Sequence, residues 1–131
     1  MTENFINDKK TRDEIVKYIN FLLKDVNERI ILKYFKNLKS NDISTKTSND
    51  DFVSIADKKS EELIFKKLNG FLNIKNCIGE ESSYKDDNQY LSLLNEPLVW
   101  VVDPIDGTKN YINGKDHFCT MISLASFSIP I

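Results

Sequence analysis

The segment WVVDPIDGTKNY, residues 100–111, places two aspartates three residues apart directly after an apolar run. That run, LVWVV at residues 98–102, predicts a strand buried on both faces. Carboxylates at the end of a buried strand are costly without a cation or a cluster of donors, so Asp103 and Asp106 are expected to face one. Taken alone, Asp-x-x-Asp is more typical of a turn or a helix cap.

The composition indicates one soluble domain with its own core, since 40% of the 131 residues are hydrophobic and 29% are charged. The 18 basic and 20 acidic residues are mixed along the chain, which argues against a nucleic-acid partner. The polar N-terminus and the lack of a long apolar run predict a cytoplasmic protein with no membrane partner. Cys77 and Cys119 lack metal-type spacing and are predicted to be reduced core residues.

Periodicity and punctuation predict an alternation of helices and strands. Apolar residues recur at helical spacing over residues 12–38, which predicts one long amphipathic helix that packs on the domain's own core. A second helix fits residues 55–68, with Ser54 as its N-cap and Gly70 just beyond its end. Residues 37–51 read as a loop or an irregular hairpin, and residues 82–96 as a surface excursion. Further strands are predicted at residues 76–79 and 118–125.

Carboxylates follow two of the predicted strands. Glu80 and Glu81 end the strand at residues 76–79, and Asp103 and Asp106 end the strand at 98–102. Adjacent strand ends would bring all four to one rim, where their mutual repulsion requires a cation. Hard oxygen ligands suit Mg²⁺, and the free amides of a helix that starts near Gly107 suit a phosphate.

Three motifs together resemble the inositol monophosphatase family. They are DFVSIADKKSEELI at residues 51–64, IGEES at 78–82 and WVVDPIDGTKNYINGKDHFCTMISL at 100–124. That family is a Mg²⁺-dependent, lithium-sensitive phosphatase group that includes 3'(2'),5'-bisphosphate nucleotidases and one class of histidinol-phosphatase. The resemblance implies a layered α-β-α-β-α sugar-phosphatase-like fold. Residues 1–131 would form its incomplete N-terminal α+β part, with two main helices and a mixed sheet.

The resemblance implies a metal site with four ligands in this chain. Glu80 would bind the first metal and hold a catalytic water. Asp103 would bridge two metals, the backbone carbonyl of Ile105 would join the first, and Asp106 would bind the second. The cofactor expected from the family is Mg²⁺.

The resemblance also implies catalytic and phosphate-binding roles. The amides of Gly107 and Thr108 would contact the substrate phosphate, and the Thr108 hydroxyl would pair with Asp57 to help activate water. Without the resemblance, Asp57 reads equally well as a first-turn acid that stabilises its helix. Lys46 stands where the family often has a lysine in a metal-site loop, although an exposed loop lysine fits as well, and His117 is expected to have no catalytic role.

The activity implied is Mg²⁺-dependent hydrolysis of a small phosphorylated metabolite, a phosphate monoester. Lys109 resembles the bisphosphate nucleotidase and histidinol-phosphatase branches, whereas Asn110 before an aromatic residue resembles inositol monophosphatases, so the substrate stays open. Members of the family often form homodimers, and a homodimer is one arrangement to expect.

The family carries a third metal-binding aspartate in a later Trp-Asp-Ala-type segment, and this sequence has none. We therefore expect the C-terminal part of the domain to be absent from residues 1–131, and turnover by this chain alone to be weak or absent. The competing hypothesis is a non-catalytic fragment that binds metal or phosphate.

Overall fold

Two helices pack on one face of a four-stranded sheet in the computed structural model, which describes residues 7–83, 87–127 and 129–131. Part of the predicted surface excursion, residues 84–86, lies outside the described residues. The α/β class and the two main helices are as the sequence predicts. Within the described residues, no helix is long and apolar enough to cross a membrane.

Helix α1 spans Lys9–Val26 and continues through a π-helical turn, Asn27–Ile31, into a last short turn, Leu32–Tyr34. The helix begins earlier than predicted because the Asp8 side chain caps it by accepting from the backbone N–H of Thr11. It also ends earlier than predicted, since Phe35 has left helical backbone angles. The prediction of one long helix is thus correct in kind and wrong in its bounds.

Helix α2 spans Ile55–Leu68, the predicted bounds, and begins with a capping box between Ser54 and Asp57. Strands β1, Ile43–Thr45, and β2, Phe52–Ser54, form an antiparallel pair before it. The segment predicted as a loop or an irregular hairpin therefore contains one arm of a hairpin. This hairpin delivers the chain directly to the start of α2.

The main sheet has the order β3-β4-β5-β6. Its strands are β3 (Cys77–Gly79), β4 (Val99–Asp106), β5 (Cys119–Ser126) and β6 (Ile129–Pro130). Strand β3 is parallel to β4, while β5 is antiparallel to both β4 and β6. Three short helices follow strands or loops: α3 (Glu80–Ser83), α4 (Asp87–Leu93) and α5 (Thr108–Ile112).

The core lies between the sheet and helices α1 and α2. Trp100 and Val102 of β4 are buried against Leu22 of α1 and Ile64 of α2. The apolar stripe predicted for the first helix packs on this core, as expected. Tyr111 of α5 is fully buried in the same cluster, where its hydroxyl donates to the carbonyl of Ile31 in the π-helical turn at 2.6 Å.

The other face of the sheet is covered only in part by the described residues. Helix α4 packs on Ile78, Val99 and Ala125, but Val101 is 37% exposed. The prediction that strand 98–102 is buried on both faces is therefore wrong at Val101, which is not among the residues that α4 buries on this face.

The two cysteines differ in burial. Cys77 packs against the core as predicted. Cys119 is exposed, so the prediction of a core position is wrong for it. It starts β5 opposite Asp106, beyond the part of the strand pair that the helices cover.

Candidate active site

A bulge in β4 brings its two aspartates to one rim. Asp103 pairs with Met121 and Asp106 with Cys119, so three steps along β4 match two along β5. Residues three apart on a regular strand point to opposite faces, and one extra residue corrects this phase. Pro104 lies inside the bulge, where its missing N–H costs no ladder hydrogen bond.

The parallel pairing of β3 and β4 places a second pair of carboxylates beside the first. Gly79 pairs with Val102, so Glu80 follows β3 where Asp103 continues β4. Besides burial, the negative charges of Glu80 and Asp106 act to raise the pKa of Asp103, so the three carboxyls lie near one another. The structure therefore brings Glu80, Asp103 and Asp106 to one rim.

Asp57 connects the start of α2 to the turn after β4. Its Oδ2 accepts from the backbone N–H and the hydroxyl of Ser54, at 2.7 and 2.6 Å. Its Oδ1 accepts from the hydroxyl of Thr108 at 3.0 Å, and the same hydroxyl lies 2.9 Å from the carbonyl oxygen of Ile105. Asp57 is thus both a first-turn acid in the capping box of α2 and the hydrogen-bond partner of Thr108.

We call the rim formed by Glu80, Asp103 and Asp106 the acidic rim. Lys46, in the loop after β1, reaches into it. Its Nζ lies 3.2 Å from Glu80 Oε1 and 3.1 Å from Glu81 Oε1, and its side chain is 7% exposed. The reading of Lys46 as an exposed loop lysine is therefore wrong. Burial acts to lower the pKa of Lys46, but hydrogen bonds and charge from Glu81 and Glu80 raise it above its ordinary value.

Three carboxyls of the site, those of Asp103, Glu81 and Asp57, have raised pKa values. Burial, with a hydrogen bond to Glu80 and the negative charge around it, raises the pKa of Asp103 to about 7. Burial also raises the pKa of Glu81 to about 7, although Lys46 acts in the opposite direction. Burial raises the pKa of Asp57, while hydrogen bonds from Ser54 and Thr108 oppose the rise. A cation bound beside these carboxyls would favour their ionised forms and so lower the raised pKa values.

The turn after Asp106 requires glycine. Gly107 has a φ of 85°, and a Cβ built on it would lie 2.8 Å from the carbonyl oxygen of His117. It precedes α5, and no side chain among the described residues caps the helix there. The first amides of a helix also have no acceptor within the helix itself. The His117 side chain is 83% exposed, and its Nδ1 lies 3.2 Å from Asp116 Oδ1.

The residues present suit a hard divalent cation. Within the described ranges, no group of three or more His, Cys, Asp or Glu side chains is already arranged around a common metal position. The donors are nevertheless carboxylate and carbonyl oxygens, the ligands that Mg²⁺ and Ca²⁺ take. Asp103 Oδ1 is buried and has no hydrogen-bond partner among the residues that the structure describes, as expected for a ligand atom whose partner is a cation.

Glu61 was missed by the sequence analysis. It is 5% exposed on α2, and its carboxylate accepts from the backbone N–H groups of Glu81 and Ser82. Its position four residues after Asp57 puts both carboxylates on one helix face. That spacing is the one signal in the sequence that could have drawn attention to it.

Comparison with known proteins identifies the class first. The chain superposes on an IMPase/NADP phosphatase, solved in complex with NADP and Ca²⁺, with a TM-score of 0.74 and 25% identity over 95% of this chain and 44% of that chain. The fold is therefore the α/β sugar-phosphatase-like fold. The profile of the inositol monophosphatase family matches residues 13–131, and the chain belongs to this family.

Two sequence relatives show how much of the family's length this chain represents. Inositol monophosphatase 1 of Solanum lycopersicum is 39% identical over 80 residues, covering 61% of this chain and 28% of that protein. Fructose-1,6-bisphosphatase/inositol-1-monophosphatase of Aquifex aeolicus (strain VF5) is 33% identical over 103 residues, covering 79% and 36%. The chain thus spans about a third of the length of these relatives.

Proposed function

We propose that residues 1–131 form the N-terminal part of a Mg²⁺-dependent phosphomonoesterase domain that hydrolyses a small phosphorylated metabolite. The observation that carries the proposal is the convergence of Glu80, Asp103 and Asp106 beside the hydrogen-bonded pair of Thr108 and Asp57. Family membership supports the reaction class, because the relatives above are named as phosphatases.

The metal ligands proposed are the carboxylates of Glu80, Asp103 and Asp106 with the carbonyl oxygen of Ile105. A divalent cation held by these oxygens would lower the pKa of water and offset the negative charge of the phosphate. The raised pKa of Asp103, caused by burial and its acidic neighbours, supports a cation at this position. The Ca²⁺ of the IMPase/NADP phosphatase complex is a divalent ion of this class.

The Thr108 hydroxyl and Asp57 are proposed to move the proton of the attacking water. The Thr108 hydroxyl lies 3.0 Å from Asp57 Oδ1 and 2.9 Å from the Ile105 carbonyl oxygen, and its single hydrogen can be donated to either. When it is donated to Asp57, the Thr108 oxygen can accept a proton from water while Asp57 takes the threonine proton. The water oxygen then bonds to phosphorus, the bond from phosphorus to the leaving oxygen breaks, and solvent protonates that oxygen. The amides of Gly107 and Thr108 would hold the phosphate.

The test is phosphate release by the full-length protein, because turnover by residues 1–131 alone is expected to be weak or absent. Three substrates are compared in the presence of Mg²⁺: inositol 1-phosphate, adenosine 3',5'-bisphosphate and histidinol phosphate. Asp106→Asn and Thr108→Ala should each lower the rate by about 10²–10³-fold, whereas Asp116→Asn, the same change at an exposed site, should leave it unchanged. The preferred substrate assigns the branch of the family.

Two results would contradict the proposal. One is phosphate release that persists in excess chelator, and the other is release that neither Asp106→Asn nor Thr108→Ala affects. Mg²⁺-dependent binding of inorganic phosphate without any turnover would instead support the non-catalytic alternative.

A further inference from the structure

The turn between β3 and α3, which carries Glu80, is held by a carboxylate from another helix. Glu61 Oε2 accepts from the N–H of Glu81 at 2.8 Å, and Glu61 Oε1 accepts from the N–H of Ser82 at 2.9 Å. Each carboxylate oxygen therefore takes one amide. Such hydrogen bonds to an ionised acceptor are stronger than those between neutral groups.

The turn needs an external acceptor for two reasons. The first amides of a helix have no partner within the helix, and α3 has only four residues. In addition, Glu80 lies near Asp103 and Asp57, whose charges repel it. Lys46, whose Nζ lies 3.2 Å from Glu80 Oε1, offsets part of this repulsion at the carboxylate, whereas Glu61 holds the backbone that carries it.

Gly79 is shaped to fit this anchor. A Cβ built on Gly79 would lie 2.3 Å from Glu61 Cδ and within 2.6 Å of both carboxylate oxygens. The backbone of β3 and the Glu61 carboxylate therefore pack with no space between them. A side chain at position 79 would displace the carboxylate from the two amides.

The same face of α2 holds both site-bearing turns. Asp57 binds Thr108 in the turn after β4, and Glu61, one helical turn later, binds the turn after β3. The rigid spacing between two residues of one helix thus sets the distance between two parts of the rim.

We propose that Glu61 is a positioning residue, which fixes the backbone at Glu81 and Ser82 so that the Glu80 carboxylate is presented to the rim beside Asp103. The value of this anchoring for a metal site rests on the proposed function. The anchoring itself is a property of the chain and can be tested without metal.

The first test is amide hydrogen exchange of the whole chain by NMR, in chelator. Glu81 and Ser82 should be protected in the wild type. In Glu61→Gln, whose side chain has one oxygen instead of two, exchange of at least one of these amides should be about ten- to a hundredfold faster. The amide of Trp100, in the core half of β4, should keep its protection.

Two further variants complete the test. Glu62→Gln makes the same change at the neighbouring exposed position of α2 and should alter neither amide. Gly79→Ala should reproduce the effect of Glu61→Gln, and because the clash is with the end of a flexible side chain, this variant should still fold. Unprotected Glu81 and Ser82 amides in the wild type, or unchanged exchange in both Glu61→Gln and Gly79→Ala, would overturn the proposal.

The second test is calorimetric titration with Mg²⁺ alone. Glu61→Gln should weaken Mg²⁺ binding by about ten- to a hundredfold, the usual effect of losing a residue that orients a ligand, while Glu62→Gln binds as the wild type does. Equal affinity in Glu61→Gln and wild type would overturn the positioning role. If the wild type binds no Mg²⁺, the proposed metal site fails, and the exchange data still decide whether Glu61 anchors the turn.

Discussion

The two halves of strand β4 use one continuous backbone for opposite purposes. Residues 99–102 bury Trp100 and Val102 against α1 and α2, which stabilises the fold by removing apolar surface from water. Residues 103–106 carry Asp103 and Asp106 to the acidic rim, where charge repulsion opposes folding unless a cation is present. The boundary between the half that stabilises the fold and the half that carries the proposed site lies between Val102 and Asp103.

The largest effect is expected in the core half. Trp100→Ala should lower the free energy of unfolding by about 3–5 kcal/mol, because the indole is 1% exposed and its loss leaves a large cavity. Urea denaturation measures this loss. Val101→Ala, next to it on the 37% exposed side, should cost less than about 1 kcal/mol. Similar losses in the two variants would show that the two faces of this half of β4 contribute equally to stability.

Tyr111→Phe tests the connection between the two halves, since Tyr111 belongs to the helix after the rim and is buried in the core. Loss of its 2.6 Å hydrogen bond to the Ile31 carbonyl should cost about 1–2 kcal/mol. Tyr18→Phe removes a part-buried hydrogen bond to the Lys67 carbonyl and should cost less, about 0.5–1 kcal/mol. Urea denaturation measures both losses in the free energy of unfolding. A larger loss for Tyr18→Phe than for Tyr111→Phe would contradict the effect expected of burial.

Asp103→Asn should stabilise the metal-free chain at neutral pH, by on the order of 1 kcal/mol, a figure reduced for solvent screening of a partly exposed group. The folded chain holds the Asp103 proton more tightly than the unfolded chain, since its pKa is raised to about 7 by burial and Glu80. The stabilisation of the wild type by this tighter proton binding is complete below the unfolded pKa of about 4 and is lost as pH rises through about 7, so the advantage of Asp103→Asn appears over that range.

The measurement for Asp103→Asn is unfolding in chelator across that pH range. The wild type should lose more stability than Asp103→Asn between about pH 4 and about pH 7, where the Asp103 carboxyl ionises. If the free energy of unfolding has the same pH dependence in the two proteins, ionisation of Asp103 does not destabilise the fold.

The two cysteines give the smallest effect and report on the two halves separately. Cys77 pairs with Trp100 and Cys119 with Asp106. Burial raises the pKa of Cys77 to about 11, so at neutral pH iodoacetamide should modify exposed Cys119 at least about tenfold faster. Mass spectrometry of the labelled chain measures both rates. Equal rates would mean that the core half opens as readily as the rim.

The sequence predicts best what local chemistry determines. The bounds of α2 follow from Ser54, whose hydroxyl and backbone form the capping box with Asp57. The core position of Trp100 follows from the LVWVV run. The motif DPIDGT at residues 103–108 carries the resemblance to the family, and the family profile that matches residues 13–131 confirms it.

The sequence predicts poorly what depends on tertiary contacts. Exposure of Val101 depends on how far α4 extends over the sheet, which local pattern does not encode. The exposure of Cys119 likewise depends on what covers the end of β5. The role of Glu61 needs the approach of α2 to the turn after β3, a contact across twenty residues of sequence. Lys46 needs the β1-β2 hairpin to turn its loop toward Glu80.

The most direct test of a divalent-cation site at the acidic rim is the urea unfolding midpoint of the wild type and of Asp103→Asn, each measured with increasing MgCl₂. If the rim binds the cation, Mg²⁺ should raise the wild-type midpoint progressively, as expected for a ligand that binds the folded state, and should leave that of Asp103→Asn nearly unchanged. A wild type indifferent to Mg²⁺, or an equal rise in both proteins, would contradict the assignment of this rim as a divalent-cation site.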